Sequence, residues 1–330
     1  MSEGKKIRWG ILGVAKINER LKPAFAASKT VSLVGIASRD LHKAQKAAQE
    51  FSIPKAYGSY EELIDDPDIE AVYIPLPNHL HDVWTRKAAD AGKHILCEKP
   101  LCPTAPQASD LVEYCHKKGV RLMDGFMWPH HPRTHQIRQQ IDSGMIGRVI
   151  NVVSSFTFLL PDEISNIRYQ PEMGGGALLD VGCYCVYGIR WAFGIEPVKA
   201  FAKGTFRHDV DVSLSAILTF ADGRTACFDC GFNQPMRQWH EIIGETGVIR
   251  IPQFWVPNHQ AEWFIEREDQ EPQRFVVSQE EQMVHMLDDF ARAIWEQTDA
   301  TPNPQQAVLT LKVLDAVIES ARTGKEVAIQ

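Results

Sequence analysis

Along the first 125 positions, short apolar runs alternate with stretches whose apolar residues recur every three or four positions, the pattern of strands interleaved with amphipathic helices. Residues 7–12 (Ile-Arg-Trp-Gly-Ile-Leu) predict a first strand, Gly13 a turn, and Ile17, Leu21, Ala24 and Phe25 the apolar side of the next helix. A β-branched run over 31–37 predicts a second strand, after which Asp40 can cap a helix carrying Ala44, Ala47, Ala48 and Phe51 at helical spacing. Further strands are expected at 71–74, 94–97 and 120–123. Between them the pattern predicts a helix over 78–91, capped by Asn78 and stopped by Gly92, and one over 104–118, stopped by Gly119. Such alternation builds an α/β, doubly wound parallel sheet with helices on both faces.

Past Gly125 the texture changes. A helix at 132–143 leads into a long strand at 149–158 and a loop rich in Pro, Asn and Gly. Strands are then expected at 198–204, 212–220, 225–232, 241–243, 248–251, 262–265 and 275–277, with Asp222-Gly223 as a hairpin turn, so this half reads as α+β with a largely antiparallel sheet. Helices at about 282–297 and 304–323 end the chain. The boundary is placed near Asp124, giving a first domain of residues 1–124, on which the last helix packs back, and a second of 125–330.

Composition narrows the class. The 330 residues suffice for two ordinary cores, and 35 Lys plus Arg against 42 Asp plus Glu leave a net charge of −7, the wrong sign for holding nucleic acid by its phosphates. No apolar run approaches the roughly 20 residues of a membrane span. The start, Met1 to Trp9, lacks the apolar core and cleavage site of a secretory signal and is read as the start of a cytoplasmic protein. Seven cysteines, an odd number in a chain of this size, fit reduced thiols better than a disulfide framework.

The turn after the first strand, Gly13-Val-Ala15-Lys16-Ile17-Asn18, stands where a G-x-G-x-x-G fingerprint would cradle a pyrophosphate. Gly13 supplies the turn and Ala15 is the smallest alternative to the second Gly, whereas Asn18 departs from the third. At the end of the second strand, Ser38 and Arg39, with Lys43 one turn on, replace the carboxylate expected for a ribose 2′-hydroxyl, so NADP(H) is favoured over NAD(H). Arg39 reads either as a phosphate ligand or as a surface partner of Asp40. Leu76, Asn78 and His81 follow the strand at 71–74, and Glu98 and Lys99 follow the strand at 94–97, the carboxyl-end position at which parallel sheets bind ligands.

Together, Gly13-x-Ala15, Pro77-Asn78-x-x-His81, Glu98-Lys99-Pro100 and Gly174-Gly-Gly-Ala-Leu-Leu-Asp180-Val-Gly182-x-Tyr184 resemble the Gfo/Idh/MocA oxidoreductases over the whole chain. The resemblance implies a Rossmann domain followed by an open-faced mixed-sheet domain, an active site between them, and dimers that cover the open face. It implies that Lys99 lies beside the nicotinamide and the substrate and that Pro100 is preceded by a cis bond. Tyr184 replaces the His of many members, the pattern of the glucose-fructose oxidoreductase, dimeric dihydrodiol dehydrogenase, xylose dehydrogenase and nucleotide-sugar 3-ketoreductase branches.

The residues permit that chemistry. Asp180 and Tyr184, four apart on a helix, project from one face. Hydride transfer at a carbinol or carbonyl also moves a proton at the oxygen, and a phenol with a pKa near ~10 needs a nearby cation to serve as base. Tyr184 is therefore the candidate general acid/base, Lys99 the cation that lowers its pKa, and Asp180 an orienting acceptor for a substrate hydroxyl. Trp128 and Arg168 are further candidates for substrate contact, Arg168 reading equally as a salt-bridge partner of a nearby acid. No metal is expected: His130, His131 and His135 lack a carboxylate or Cys at zinc spacing, and Cys227 and Cys230, three apart on a strand, point to opposite faces. The expected activity is hydride transfer between NADP(H) and a sugar-like substrate. An aldose 1-dehydrogenase heads the alternatives, with a nucleotide-sugar 3-ketoreductase or a trans-dihydrodiol dehydrogenase beside it. A non-catalytic NADP-sensing regulator is the alternative of another class; it would have no need of a Lys99–Tyr184 pair.

Overall fold

The computed structural model describes residues 6–279 and 281–330. The chain start read as cytoplasmic includes residues 1–5, which lie outside the described residues. Two compact units emerge, one of residues 6–130 with 281–307, the other of 131–279 with 308–330.

In the first unit the chain runs β1 (Ile7–Leu12), α1 (Asn18–Ala27), β2 (Val31–Ala37), α2 (Leu41–Phe51), β3 (Lys55–Tyr57), α3 (Tyr60–Asp65), β4 (Ala71–Ile74), α4 (His81–Asp90), β5 (His94–Cys97), α5 (Ala105–Lys117) and β6 (Leu122–Asp124). The strands lie in the order β3-β2-β1-β4-β5-β6, every neighbouring pair parallel. This is the doubly wound arrangement the alternation predicts, with strand order reversing between β1 and β4, where such sheets open a crevice at their carboxyl ends. All four residues of β4 are buried, as befits a strand covered on both faces. Asp40 caps α2 through the N–H groups of His42 and Lys43, and Gly92 and Gly119 stop α4 and α5 with φ of +71°. Asn78 does not cap α4: it opens a 3₁₀ turn, Asn78–Leu80, and the α-helix begins at His81.

The second unit runs α6 (Pro132–Asp142), β7 (Val149–Leu159), a π turn (Leu178–Gly182) continuing as α7 (Cys183–Phe193), then β8 (Pro197–Arg207), β9 (Val210–Phe220), β10 (Thr225–Gly231), β11 (Asn233–Arg237), β12 (His240–Gly244), β13 (Val248–Ile251), β14 (Gln260–Glu266) and β15 (Gln273–Ser278). With β16 (Val327–Ala328) these form a ten-stranded sheet, β15-β14-β13-β12-β7-β10-β9-β8-β16, with β11 on the end of β7. Among the described strand pairs of this sheet only β7–β10 is parallel, so the sheet is mixed and largely antiparallel as expected. Helix α7 lies close on one face because two glycines allow it. A Cβ at Gly182 would stand 2.9 Å from the Cys230 sulfur, and one at Gly188 would stand 2.6 Å from the Trp255 ring.

The chain closes with α8 (Gln282–Glu296) and α9 (Gln305–Thr323), and these correct the expected domain division. The border falls after His130 rather than at Asp124, and it is α8, not the last helix, that joins the first unit. Met283, Met286, Leu287 and Phe290 of α8 enter its core, where Trp9 packs against Phe25 at 5.7 Å and Phe290 at 5.6 Å between ring centroids. Asp288 receives the hydroxyls of Ser28 and Thr30. Past its first turn α9 belongs to the second unit: Thr310 accepts from Arg190 at 2.8 Å, and Ser320 from the Ala202 N–H at 2.9 Å. Both helices have an apolar stripe, and a stripe does not name the surface it meets.

Candidate active site

Gly13 leaves β1 with a φ of +123°, and a Cβ there would meet Leu76 at 3.0 Å. Its N–H donates to the Ala37 carbonyl at 3.0 Å, and its own carbonyl accepts from the Asn18 side-chain amide at 2.9 Å. Asn18, read as a departure from the fingerprint, is thus a buried clamp that holds the turn closed. No side chain caps α1, since Ile17 occupies the cap position. A cradle that a Cβ would fill, facing a helix start without a side-chain cap, fits a pyrophosphate. Ala15 is half-buried beside it and Lys16 is exposed.

At the end of β2, Ser38 is buried and its hydroxyl accepts the Asp40 N–H at 3.2 Å. The Asp40 carboxylate caps α2, its Oδ1 accepting the N–H groups of His42 and Lys43. Arg39 is exposed and hydrogen-bonds to the Tyr60 hydroxyl; that contact opposes the rise in the Tyr60 pKa that burial produces. The same hydroxyl lies 3.8 Å from the place of a Cβ on Gly13, so Arg39 reaches toward the turn rather than pairing with Asp40. Lys43 stands exposed in the first turn of α2. A hydroxyl and two cations past the end of β2 fit a 2′-phosphate.

After β5 the Lys99–Pro100 bond is cis, as the resemblance implies. Glu98 accepts the Tyr73 hydroxyl at 2.5 Å and the Lys99 N–H at 3.3 Å. Burial raises its carboxyl pKa, opposed by the Lys99 charge and the Tyr73 bond. Gly125, just past β6, leaves room for this corner, since a Cβ there would come within 3.2 Å of Glu98. Two expectations are corrected here. His81 is fully buried, its Nδ1 2.9 Å from the Pro100 carbonyl and its Nε2 2.7 Å from the Leu76 carbonyl, so the ring braces two loops and offers no nitrogen to a cofactor. Burial lowers its pKa against the pull of those carbonyls. Trp128, expected to touch substrate, is fully buried as well. Burial is a tertiary property that a loop motif does not report.

In the second unit, Arg168 sits on a 3₁₀ turn whose N–H the Asn166 side chain accepts at 3.1 Å. Its Nε donates to Asp180 at 2.6 Å and its Nη2 at 3.4 Å to the other carboxylate oxygen. The Asp180 charge raises the Arg168 pKa, and Tyr184 adds to the effect, so the three groups form one electrostatic cluster. Asp180 lies on the π turn rather than on an α-helix, while Tyr184 stands in the first turn of α7. The Tyr184 ring is 5% exposed, held edge-on by Phe156 at 5.2 Å and Trp255 at 5.8 Å. Neither aromatic was singled out in the sequence: Phe156 is one of several apolar residues on β7, and Trp255 lies in a loop without a pattern. Cys230 is buried and Cys227 half-exposed on opposite faces of β10, as the strand period requires.

A model of an oxidoreductase family with an NAD-binding Rossmann fold matches residues 7–126, and one of the GFO/IDH/MocA C-terminal domain matches 134–250. D-xylose 1-dehydrogenase (NADP(+)) 2 of Haloferax volcanii is 37% identical over 97% of this chain and 99% of its own. Trans-1,2-dihydrobenzene-1,2-diol dehydrogenase of Xenopus tropicalis is 37% identical over 76% of this chain and 77% of its own. The crystal structure of KijD10, a 3-ketoreductase from Actinomadura kijaniata in complex with NADP and TDP-benzene, matches with a TM-score of 0.88 at 32% identity, over 96% of this chain and 98% of that one. With both halves matched in order and relatives aligned along nearly its full length, the chain belongs to the Gfo/Idh/MocA family of oxidoreductases.

Proposed function

We propose that the protein is an NADP(H)-dependent aldose 1-dehydrogenase, oxidising the anomeric carbinol of a free sugar. The observation that carries the choice of substrate is the Arg168–Asp180 pair next to Tyr184: the guanidinium is neutralised by a carboxylate, and the pair presents donors and acceptors suited to hydroxyl groups. Arg207 and His208 are likewise engaged, both with Asp162, so these paired groups offer no surplus positive charge to a diphosphate. The full-length likeness to an NADP(+)-dependent xylose dehydrogenase supports the same reading.

In this reading the turn at Gly13, Ala15, Lys16 and Ile17 holds the pyrophosphate, and Ser38, Arg39 and Lys43 hold the 2′-phosphate. Leu76, Asn78, Glu98 and Lys99 serve the nicotinamide end. When bound, the oxidised cofactor supplies the hydride acceptor. Tyr184 takes the proton from the sugar hydroxyl, Lys99 favours the phenolate that can do so, and Asp180, fixed by Arg168, orients a neighbouring hydroxyl.

The second reading, a nucleotide-sugar 3-ketoreductase, draws on the likeness to KijD10. Absorbance at 340 nm separates the two: NADP⁺ reduction with D-xylose or D-glucose is expected. NADPH oxidation with a dTDP-linked keto-sugar alone would overturn the aldose reading, and NADPH binding without turnover on any carbonyl or aldose would favour the sensor. Pairing of two copies belongs to the same proposal, supported by exposed Phe201 and Ile217 on the ten-stranded sheet and measurable by sedimentation. So does a cytoplasmic place, supported by seven cysteines of which none forms a disulfide. No helix among the described residues is long and apolar enough to cross a membrane.

A further inference from the structure

Asp211, near the start of β9, belongs to no motif, yet it is buried against the glycine-rich segment that leads to Asp180. Its Oδ2 accepts the Leu178 N–H at 2.6 Å, and the Ala177 N–H also donates to the carboxyl. Leu178 opens the π turn that carries Asp180, and Ala177, in the cap position before it, has no side-chain acceptor. A carboxyl 33 residues along the chain thus stands in for the missing N-cap.

Gly176 shows why the contact matters for the site. Its N–H donates to the Arg168 carbonyl at 3.0 Å, and its carbonyl accepts the Asp180 N–H at 3.1 Å. One residue therefore ties the backbone of Arg168 to that of Asp180. Its φ is +111°, and a Cβ on it would collide with the Asp211 carboxyl, so Asp211 bears directly on that link. Burial moves the Asp211 carboxyl up to about 7, against the amides of Leu178, Ala177 and Asp211 itself and the charge of Arg322 on α9. The Cys230 thiol, on β10, faces it as well.

We propose that Asp211 is a positioning residue for the sugar: it fixes the start of the π turn so that Asp180 meets Arg168, and it acts on the substrate only through that pair. The proposal rests on the sugar-oxidoreductase reading above. Three variants of the full chain test it: Asp211→Ala, Asp211→Asn, whose amide oxygen still accepts an N–H, and Gly176→Ala, which presses a methyl against the carboxyl from the other side. In Asp211→Ala and Gly176→Ala the KM for aldose is expected to rise at least fivefold, with NADPH affinity within twofold of the parent. Asp211→Asn should recover part of the sugar affinity. Amide hydrogen exchange should quicken over residues 177–180 and stay unchanged in β12 to β14. An unchanged sugar KM overturns the proposal, as does a loss of NADPH affinity and melting temperature in step with activity, the mark of a merely structural role. If the parent turns over no aldose, the substrate reading fails by itself; Asp211 is then judged by exchange, and unchanged exchange at 177–180 in Asp211→Ala overturns its assignment.

Discussion

Tyr184 and Arg39 differ in what a single substitution reveals. Replacing Tyr184 by Phe removes one oxygen from a ring already held by Phe156 and Trp255, so packing survives while the proposed proton acceptor is lost. Turnover of aldose is expected to fall by about 10²–10⁴-fold, the usual worth of a positioned acid/base, with NADPH affinity unchanged by fluorescence titration. Arg39→Ala should do the reverse. A charge-assisted hydrogen bond is worth roughly 1.5–3 kcal/mol, so NADPH should bind about 10- to 100-fold more weakly while NADH binding barely changes. At this scale the sequence was legible where chemistry is local. Gly13 has the positive φ of a turn after β1, Ser38 and Arg39 follow the end of β2, and the Lys99–Pro100 bond is cis. His81 and Trp128 were misread because their burial depends on loops and cores assembled from distant segments, and Asn18 became intelligible only with its bond to Gly13.

Among elements, α7 shows how the helix that bears Tyr184 is held. A methyl at Gly188 would press on Trp255, which also flanks Tyr184. Gly188→Ala should cost about 1–3 kcal/mol of stability, read from urea unfolding, and should lower turnover as the ring shifts. The contact of β9 with the π turn predicts a pH effect. The Asp211 carboxyl has a folded pKa of about 7 against 3.8 ordinarily, burial being the main cause, so the native state holds a proton that the unfolded chain releases. Its contribution to stability is full below pH 3.8 and is lost as pH rises to 7. The stability of the parent relative to Asp211→Asn should therefore fall between pH 4 and 7 and level off above about 8. Long periodic elements were readable, short ones less so. Helix α3 did carry a signal: Ser59 accepts the Glu62 N–H, and the Glu62 carboxylate turns back to the Gly58 N–H, a capping arrangement written in Gly58-Ser-Tyr-Glu-Glu62. The three residues of β3 are only half-buried and show no alternation. The π turn has no spacing that distinguishes it from an α-helix, and its cap, Asp211, comes from another strand.

Over the whole molecule, alternation, strand count and the change of texture after Gly125 sufficed to anticipate two units of different architecture. The route of the chain between them was not readable, because an apolar stripe on α8 or α9 does not name the surface it meets. Helix α8 completes the first core with Met283, Met286, Leu287 and Phe290. A fragment of residues 1–130 alone should therefore expose apolar surface, bind a hydrophobic dye and hold NADPH weakly; addition of a peptide of residues 281–307 should reverse both. The same closure sets a timetable during synthesis. At the ribosome, with roughly 5–20 residues added per second, Trp9 waits on the order of ten seconds or more for Phe290 to be made. The amino-terminal half, although translated first, is thus among the last parts of the nascent chain to finish folding, and it is the part that chaperones would need to shield.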